Sequence, residues 1–304
     1  MDGIINVYKE AGFTSHDVVA KLRGICRQKK IGHTGTLDPQ ATGVLPVCLG
    51  SATRACEMLT DRTKEYVAEL LLGKITDTQD TTGTVLEERE VAVDEAQVRE
   101  VIGSFVGGYD QIPPMYSALK VNGKKLYELA RAGKEVERQA RHVDLPAIEI
   151  LEIRLPVVKF RVECSKGTYI RSLCADIGEK LRCGGTMQSL VRTRVGEFRL
   201  ADALTLAQLQ ELRDTGRLEE ALLPTDRIFA DFNAVHVEEK WRKLIDNGNA
   251  FYPGQTMEQT TYPVGEWVRV YREDDSFVGI YAYDGAKEWY KPVKIFPSNT
   301  ESRK

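Results

Sequence analysis

Residues 32–46 read GHTGTLDPQATGVLP, a stretch that combines one carboxylate with several residues that interrupt regular structure. Its glycines and prolines leave no helical or strand periodicity, so it is predicted to be a loop. Glycine permits positive φ and close approach, and Pro39 favours an extended backbone at Asp38. Apolar residues resume at Val44. The sequence therefore predicts that Asp38 lies on a shaped loop joined directly to the core.

Two interpretations of Asp38 follow from these residues. An Asp-Pro pair often opens an ordinary turn, and an Asp beside glycines is commonly a cap. The same arrangement would also present a reactive carboxylate to a ligand. Residue spacing alone leaves both interpretations open.

The longer stretch 32–54, GHTGTLDPQATGVLPVCLGSATR, resembles the signature of the TruB-type tRNA pseudouridine synthases. In that family the Asp of the G-x-L-D-P segment is the catalytic nucleophile, and this Asp falls on Asp38. The resemblance implies a stand-alone isomerase, without a cofactor, that converts uridine 55 in the T loop of tRNA to pseudouridine. It extends over most of residues 1–200 in four separated blocks.

The same resemblance implies two partners for Asp38. A carboxylate buried against an extruded nucleoside needs a nearby cation, because desolvation raises its pKa. Arg171, in the segment CSKGTYIRSL, matches the family arginine that pairs with Asp38. Tyr66 matches the tyrosine that packs on the flipped uracil and moves protons late in the reaction. These residues are compatible with attack on ribose C1′, with a glycal route and with addition to uracil C6.

Reaching the uridine requires flipping it out of its stack, which costs on the order of a few kcal/mol. Aromatic side chains offset this cost, since stacking contributes about 1–3 kcal/mol per base. The resemblance implies that Tyr169 and Leu190 line the pocket. It also implies that His33 occupies the space that the flipped base leaves in the T loop.

The charge distribution is uneven along the chain. The formal net charge is −3, which by itself argues against a nucleic-acid ligand. Residues 120–141 nevertheless contain seven Lys or Arg against three Glu, and they include Tyr127. Basic residues interleaved with aromatics suit phosphate neutralisation and base stacking together. In the resembling family this region is a thumb, here about 108–142, that closes over the T arm. The residues expected to contact RNA here and near the N-terminus are Lys9, Lys120, Lys124, Lys125 and Arg131.

The chain is long enough for one large domain and one small one. The resemblance implies an α+β fold in which residues 1–228 form a mixed, twisted sheet flanked by helices and carry the thumb as an insertion. Beyond Phe229 short strands separated by Asp, Gly and Lys turns predict a small all-β module, residues 229–304. By position it is similar to the PUA RNA-binding domain of these synthases. Strands are predicted at 64–72 and 157–164, and 76–83 is predicted to be a polar loop.

Several classes of protein are disfavoured by the sequence. No run of eighteen apolar residues and no signal peptide occur, so a cytoplasmic protein without a membrane span is expected. The six cysteines form no C-x-x-C pair, and no metal site is expected. Phosphate-binding glycine motifs are missing, and no second carboxylate is tied to Asp38 as in a glycosidase.

Three functional hypotheses remain. The first is a monomeric tRNA pseudouridine synthase with no obligatory protein partner. The second is a tRNA-binding or folding chaperone without essential chemistry. The third is a guide-RNA-dependent relative that shares the catalytic domain.

Overall fold

The computed structural model describes residues 1–121 and 123–297, with the side chain of Lys120 excluded. Residues 298–304 of the predicted C-terminal module therefore lie outside the described residues. Eighteen strands are found in the described part of the chain: β1 (Gly3–Lys9), β2 (Ile31–His33), β3 (Thr42–Leu49), β4 (Lys64–Leu72), β5 (Lys74–Thr76), β6 (Val85–Glu88), β7 (Tyr109–Gln111), β8 (Lys120–Val121), β9 (Lys124–Lys125), β10 (Arg141–Val143), β11 (Ala147–Arg154), β12 (Val157–Cys164), β13 (Gly185–Val195), β14 (Phe198–Arg199), β15 (Asn233–Val237), β16 (Trp267–Arg272), β17 (Phe277–Asp284) and β18 (Trp289–Ile295).

The α-helices of the described residues are short and lie between the strands. They are α1 (Ser15–Ile25), α2 (Cys56–Thr60), α3 (Glu95–Gly103), α4 (Leu126–Arg131), α5 (Ile170–Lys180), α6 (Leu206–Asp214) and α7 (Arg242–Asp246). Among the described residues, none of these helices is long and apolar enough to cross a membrane.

The main sheet has the strand order β1-β3-β13-β4-β12-β11, with β2 paired to β3 and β14 paired to β13. Strands β13 and β3 run parallel, whereas the other pairs are antiparallel, so the sheet is mixed. The predicted α+β fold is confirmed. Strands β4 and β12 occupy the predicted residues because their side chains alternate strictly between the buried and the partly exposed face.

The parallel contact between β13 and β3 brings the Asp38 loop to the middle of the sheet. The loop joins β2 to β3, and β13 lies between β3 and β4. Helix α5 packs Ile170, Leu173, Cys174 and Ile177 into the same core cluster as Leu37 of the loop. The beginning of α5 and the loop therefore meet at one end of the sheet.

Gly43 permits the closest backbone approach in this region. Its φ is +105°, and a Cβ at this position would lie 2.2 Å from the carbonyl oxygen of Arg192 on β13. We expect Gly43→Ala to lower the free energy of unfolding by about 2–4 kcal/mol, through backbone strain and a clash that neither chain can relieve. Chemical denaturation measures this change.

Gly24 provides the matched control for that prediction. It lies in α1, and a Cβ there would have no heavy atom within 4 Å. Gly24→Ala should raise the free energy of unfolding by about 0.5–1 kcal/mol, because alanine loses less backbone entropy in a helix. Equal effects of the two substitutions would contradict the proposed cause.

A two-stranded sheet closes the base of the segment predicted to be the thumb. Strand β7 pairs antiparallel with β10, and Arg141 lies opposite Gln111. Between them the chain forms the β8–β9 pair and helix α4. The insertion therefore leaves and re-enters the body of the protein at adjacent points.

The C-terminal module contains a four-stranded sheet with the order β15-β16-β17-β18. The predicted all-β character is confirmed, although strand β15 was not predicted. This strand pairs parallel with β16. Its residues Val235 and Val237 belong to the hydrophobic core of the module. A second cluster joins Ile280 and Phe296 of the module to Ile4 and Phe198 of the main domain. The module thus packs directly on the sheet that carries the Asp38 loop.

Candidate active site

The Asp38 loop is held by hydrogen bonds from the N-terminal segment. The hydroxyl of Ser15 accepts from the backbone N–H of Leu37 at 3.0 Å. The carbonyl of Pro39 accepts from the backbone N–H of Gly12 at 2.9 Å and from the ammonium of Lys9 at 3.0 Å. Because the residues on both sides of Asp38 are fixed, its carboxylate has a defined position without being packed into the core.

Asp38 and Arg171 form a two-point ion pair. Nε of Arg171 lies 2.9 Å from Oδ2 of Asp38, and Nη2 lies 3.1 Å from Oδ1. The contact predicted between two residues 133 positions apart is therefore present. The arginine side chain is 6% exposed and the aspartate side chain 36% exposed. The carboxylate is consequently partly open to solvent, whereas its counter-ion is buried.

The guanidinium of Arg171 is fixed by two further segments. Nη1 donates to the carbonyl of Thr78 at 3.0 Å, and Nη2 donates to the carbonyl of Tyr116 at 2.9 Å. Asp80 lies behind the pair, with Oδ2 at 3.9 Å from Nε of Arg171. These contacts hold the plane of the guanidinium so that its bidentate edge meets Asp38.

The environment of Asp38 sets its proton affinity by opposing effects. Burial raises the pKa of Asp38 above its ordinary value, and the nearby Asp80 raises it further. Arg171 opposes this rise by charge and by hydrogen bonding, and Lys9 opposes it more weakly. The arginine is therefore the main group that keeps the carboxylate ionised.

Tyr66 and Leu190 lie in the same buried cluster as Leu37 of the loop. Tyr66 is on β4 and is 8% exposed, and Leu190 is on β13. Tyr169 is the residue before α5, two positions from Arg171. The structure thus brings these three predicted pocket residues to the end of the sheet where Asp38 lies.

His33 ends strand β2 just before the loop. Its ring is half-buried, lies 5.3 Å from the ring of His16, and has a buried Nδ1 without a hydrogen-bond partner among the described residues. Burial lowers its pKa, and His16 and Arg192 lower it further. The neutral form is therefore favoured.

The prediction that Lys9 contacts RNA is wrong. Its side chain is completely buried, and its ammonium donates to the carbonyls of Glu10 and Pro39. Burial lowers the pKa of Lys9 to about 8. Lys9 supports the Asp38 loop from inside, so it cannot reach a phosphate at the surface.

Two of the basic residues of the insertion, Lys125 and Arg131, lie against Tyr127. The ammonium of Lys125 lies 5.4 Å from the ring centroid and 3.2 Å from the hydroxyl, and the guanidinium of Arg131 lies 5.5 Å from the centroid. Lys124 is exposed. The side chain of Lys120 lies outside the described residues.

A hydrogen-bonded amide joins the base of the insertion to α5. The side chain of Gln111, on β7, accepts from the backbone N–H of Tyr169 at 2.8 Å and donates to the carbonyl of the same residue at 3.0 Å. It also donates to the hydroxyl of Tyr109, which donates to Asp176. We refer to Gln111, Tyr109 and Asp176 as the amide clamp. It fixes the backbone two residues before Arg171.

Sequence reasoning missed the part of the site formed by residues 76–83. Its sequence predicts only a polar loop, yet the segment supplies the Thr78 carbonyl and the Asp80 carboxylate near Arg171. Gln79 has a positive φ of 62° and accepts from the hydroxyl of Ser172 at 2.8 Å. The two carboxylates of this polar loop are a signal for a functional role, but nothing in the local sequence identifies Arg171 as the partner of the loop.

No group of three or more His, Cys, Asp or Glu side chains in the described ranges is arranged to hold a metal ion. The site is built instead from the partly exposed carboxylate of Asp38, the buried guanidinium of Arg171 and the phenol of Tyr66, with the Asp80 carboxylate near the guanidinium. Such a set can provide a nucleophile, an electrostatic support and a proton-transferring group.

Comparison with known proteins gives a consistent result. Residues 23–170 match the model of the TruB family pseudouridylate synthase N-terminal domain, and residues 171–230 match the tRNA pseudouridylate synthase B C-terminal domain. A tRNA pseudouridine synthase B of Lachnoclostridium phytofermentans is 54% identical over 97% of this chain and 100% of its own length. The corresponding protein of Alkaliphilus oremlandii is 49% identical, with 97% of both chains covered.

Solved structures with the same fold are more distant in sequence. A chain in the crystal structure of a Cbf5-Nop10-Gar1 complex has a TM-score of 0.73 and 29% identity, covering 97% of this chain and 85% of that chain. A chain in an H/ACA RNP bound to a substrate RNA containing 2'-deoxyuridine has a TM-score of 0.73 and 26% identity, with the same shares covered.

Proposed function

The chain belongs to the TruB family of pseudouridylate synthases, and from this premise we propose that it isomerises uridine 55 in the T loop of tRNA to pseudouridine. The observation that carries the proposal is the two-point contact between Arg171 and the partly exposed carboxylate of Asp38. A buried cation behind an accessible carboxylate suits a nucleophile that must remain ionised beside an extruded base.

Each residue near Asp38 has a proposed task. Asp38 is the nucleophile, and Arg171 keeps it ionised and oriented. Tyr66 packs on the uracil and moves protons, while Leu190 and Tyr169 enclose the base. Because these side chains lie at one end of the sheet, a flipped nucleotide can contact all of them. His33, at the entrance to the loop, fills the space from which the base departs.

The substrate requirement is tested with purified protein and an unmodified tRNA transcript. We expect pseudouridine at position 55 alone, mapped by chemical adduct formation and primer extension. A T-arm stem-loop should also be modified, without any guide RNA or protein partner. Modification only when a guide RNA is added would instead support the guide-RNA-dependent relative. A monomer in the cytoplasm, beside its tRNA substrate, is the proposed form of the enzyme.

The insertion should contribute RNA affinity rather than chemistry. We expect Lys124→Ala and Lys125→Ala to weaken tRNA binding and leave the rate at saturating enzyme unchanged. The slope of log Kd against log salt should fall by about 0.7–0.9 for each phosphate that the variant no longer neutralises. Filter binding between low and moderate salt measures this slope.

Arg154→Ala is the control for the two lysine variants. Arg154 is exposed at the end of β11, the edge strand farthest along the sheet from β1. Its loss should leave the salt slope unchanged. A change in the slope as large as that of the lysine variants would show that the effect is one of total charge.

A further inference from the structure

Arg192 is a buried cation that the proposed chemistry does not yet use. It lies on β13, is 1% exposed, and donates from Nε to the carbonyl of Val44 at 2.7 Å and from Nη2 to the carbonyl of Gly35 at 3.3 Å. Within the described residues no carboxylate oxygen lies within ion-pairing distance of it. A buried charge without a counter-ion is costly, and two backbone carbonyls could be satisfied by a neutral donor.

The residue directly opposite Arg192 is Tyr66. The two are paired in the register between β13 and β4, so their side chains lie on the same face of the sheet. Both are buried. The backbone contacts of Arg192 therefore hold its guanidinium on the face where the Tyr66 hydroxyl lies.

The other charged groups near Tyr66 do not favour its phenolate form. Burial raises the pKa of Tyr66, and Cys164 and Asp38 raise it further, whereas the charge of Arg192 lowers it. The ammonium of Lys64, on the same strand, donates to the carbonyls of Thr60 and Arg62.

Two buried lysines near Arg192 differ from it because their pKa values are lowered. The pKa of Lys64 and that of Lys9 are each lowered to about 8, mainly by burial and in part by the charge of Arg192. Both ammonium groups are used in backbone contacts. Since an arginine does not lose its charge in a protein, Arg192 remains a permanent cation beside Tyr66.

We propose that Arg192 is a positioning residue that orients the Tyr66 hydroxyl and stabilises its phenolate during the final proton transfer. The inference rests on the proposed function. Once C5 of uracil is joined to ribose C1′, the C5–H bond breaks and the proton goes to the phenolate oxygen. The electron pair forms the C5–C6 double bond, the N1–C6 double bond opens, and N1 takes a proton from water. The Tyr66 phenol then returns its proton to solvent.

Two substitutions separate the charge of Arg192 from its hydrogen bonds. Arg192→Gln keeps a donor for the backbone carbonyls but removes the charge, and Arg192→Lys keeps the charge. We expect Arg192→Gln to lower the single-turnover rate at pH 7.5 by about 10²-fold, a typical contribution of proton transfer. The alkaline rise of its pH–rate profile should move to higher pH. Arg192→Lys should keep that rise near its wild-type position.

A double-mutant cycle with Tyr66→Phe tests whether Arg192 acts through Tyr66. In the Tyr66→Phe background, each Arg192 substitution should lower the remaining rate by less than about threefold. The inference is overturned if Arg192→Gln lowers the rate as much in the Tyr66→Phe background as in the wild type and leaves the pH–rate profile unchanged. Arg192 would then act only through its hydrogen bonds to the backbone carbonyls. Should Arg192→Gln fail to fold, Arg192→Met, which also removes the charge, takes its place in the cycle with the same expected outcomes.

Arg194→Gln is the matched control on the same strand. Arg194 pairs with Glu163 at 2.9 Å and takes no part in the site. Arg194→Gln should change the rate by the same factor in the wild-type background and in the Tyr66→Phe background. Thermal unfolding and tRNA binding of every variant show whether a rate change reflects misfolding.

A readout independent of activity keeps this inference separate from the proposed function. A fluorotyrosine placed at position 66 can be titrated by its absorbance in protein without tRNA. Its midpoint should lie at higher pH in Arg192→Gln than in Arg192→Lys. Equal midpoints would refute the role of Arg192, whereas a wild-type protein that makes no pseudouridine would refute the proposed function.

Discussion

Asp38→Asn is expected to lower pseudouridine formation by at least about 10⁴-fold, as loss of a nucleophile does in other covalent mechanisms. The amide keeps the size of the side chain and can still contact Arg171, so tRNA affinity should change by less than about threefold. Release of tritium from 5-tritiated uridine in tRNA measures isomerisation, and filter binding measures affinity.

Asp61→Asn is the control for this substitution. Asp61 is exposed and pairs with Lys166 at 2.9 Å on the surface. Its amide variant should retain the wild-type rate within about twofold. Turnover by Asp38→Asn comparable to that of the wild type would refute the nucleophile assignment. An Asp38→Asn variant that lacked turnover but restored growth to a deletion strain would support the chaperone hypothesis for the cellular role.

Arg171→Met is expected to lower the rate by about 10³-fold, which is the scale of losing one preorganised charged donor group. It should also change the pH dependence. Activity requires the ionised carboxylate, so the rate rises with pH as Asp38 loses its proton. Removing Arg171 removes the main effect that lowers the pKa of Asp38 and leaves only the weaker effect of Lys9 against burial and Asp80. The acid limb of the pH–rate profile should therefore move to higher pH.

Arg171→Lys distinguishes charge from geometry at this position. Lysine keeps the positive charge but cannot reproduce the two-point contact or both backbone hydrogen bonds. Its acid limb should lie between those of the wild type and Arg171→Met. Arg161→Met, at a surface pair with Glu149, is the control and should change neither rate nor limb. An acid limb that stays in place in Arg171→Met would contradict the ion-pair interpretation.

Local pattern predicted the strands well because the information lies within them. Strands β4 and β12 alternate buried and partly exposed residues along their whole length, so their bounds follow from the sequence. The sequence does not predict strand β15, because its five residues begin with Asn233 and only Val235 and Val237 favour a strand. Its pairing with β16 joins residues that are 35 positions apart, such as Asn233 and Val268.

Only those residues of the candidate site that match motifs of the resembling family, such as Asp38 and Arg171, could be predicted from the sequence. No periodicity connects Asp38 with Arg171, since the sheet and α5 bring them together after folding. Lys9 shows the limit of assigning a role by position in a motif, because its charged side chain is completely buried. Residues 76–83 show a second limit of prediction from local sequence, since their partner in the site, Arg171, lies on the distant helix α5.

The amide clamp constrains how the insertion could be exchanged between enzymes. Gln111 holds the backbone of Tyr169, and the Tyr116 carbonyl accepts from Arg171. The segment from β7 to β10 thus helps to position the guanidinium of Arg171 through these hydrogen bonds. A chimera that grafts a foreign loop between these strands must preserve an amide side chain at 111 and the carbonyl position at 116, or the graft will misalign the active centre even if it binds RNA.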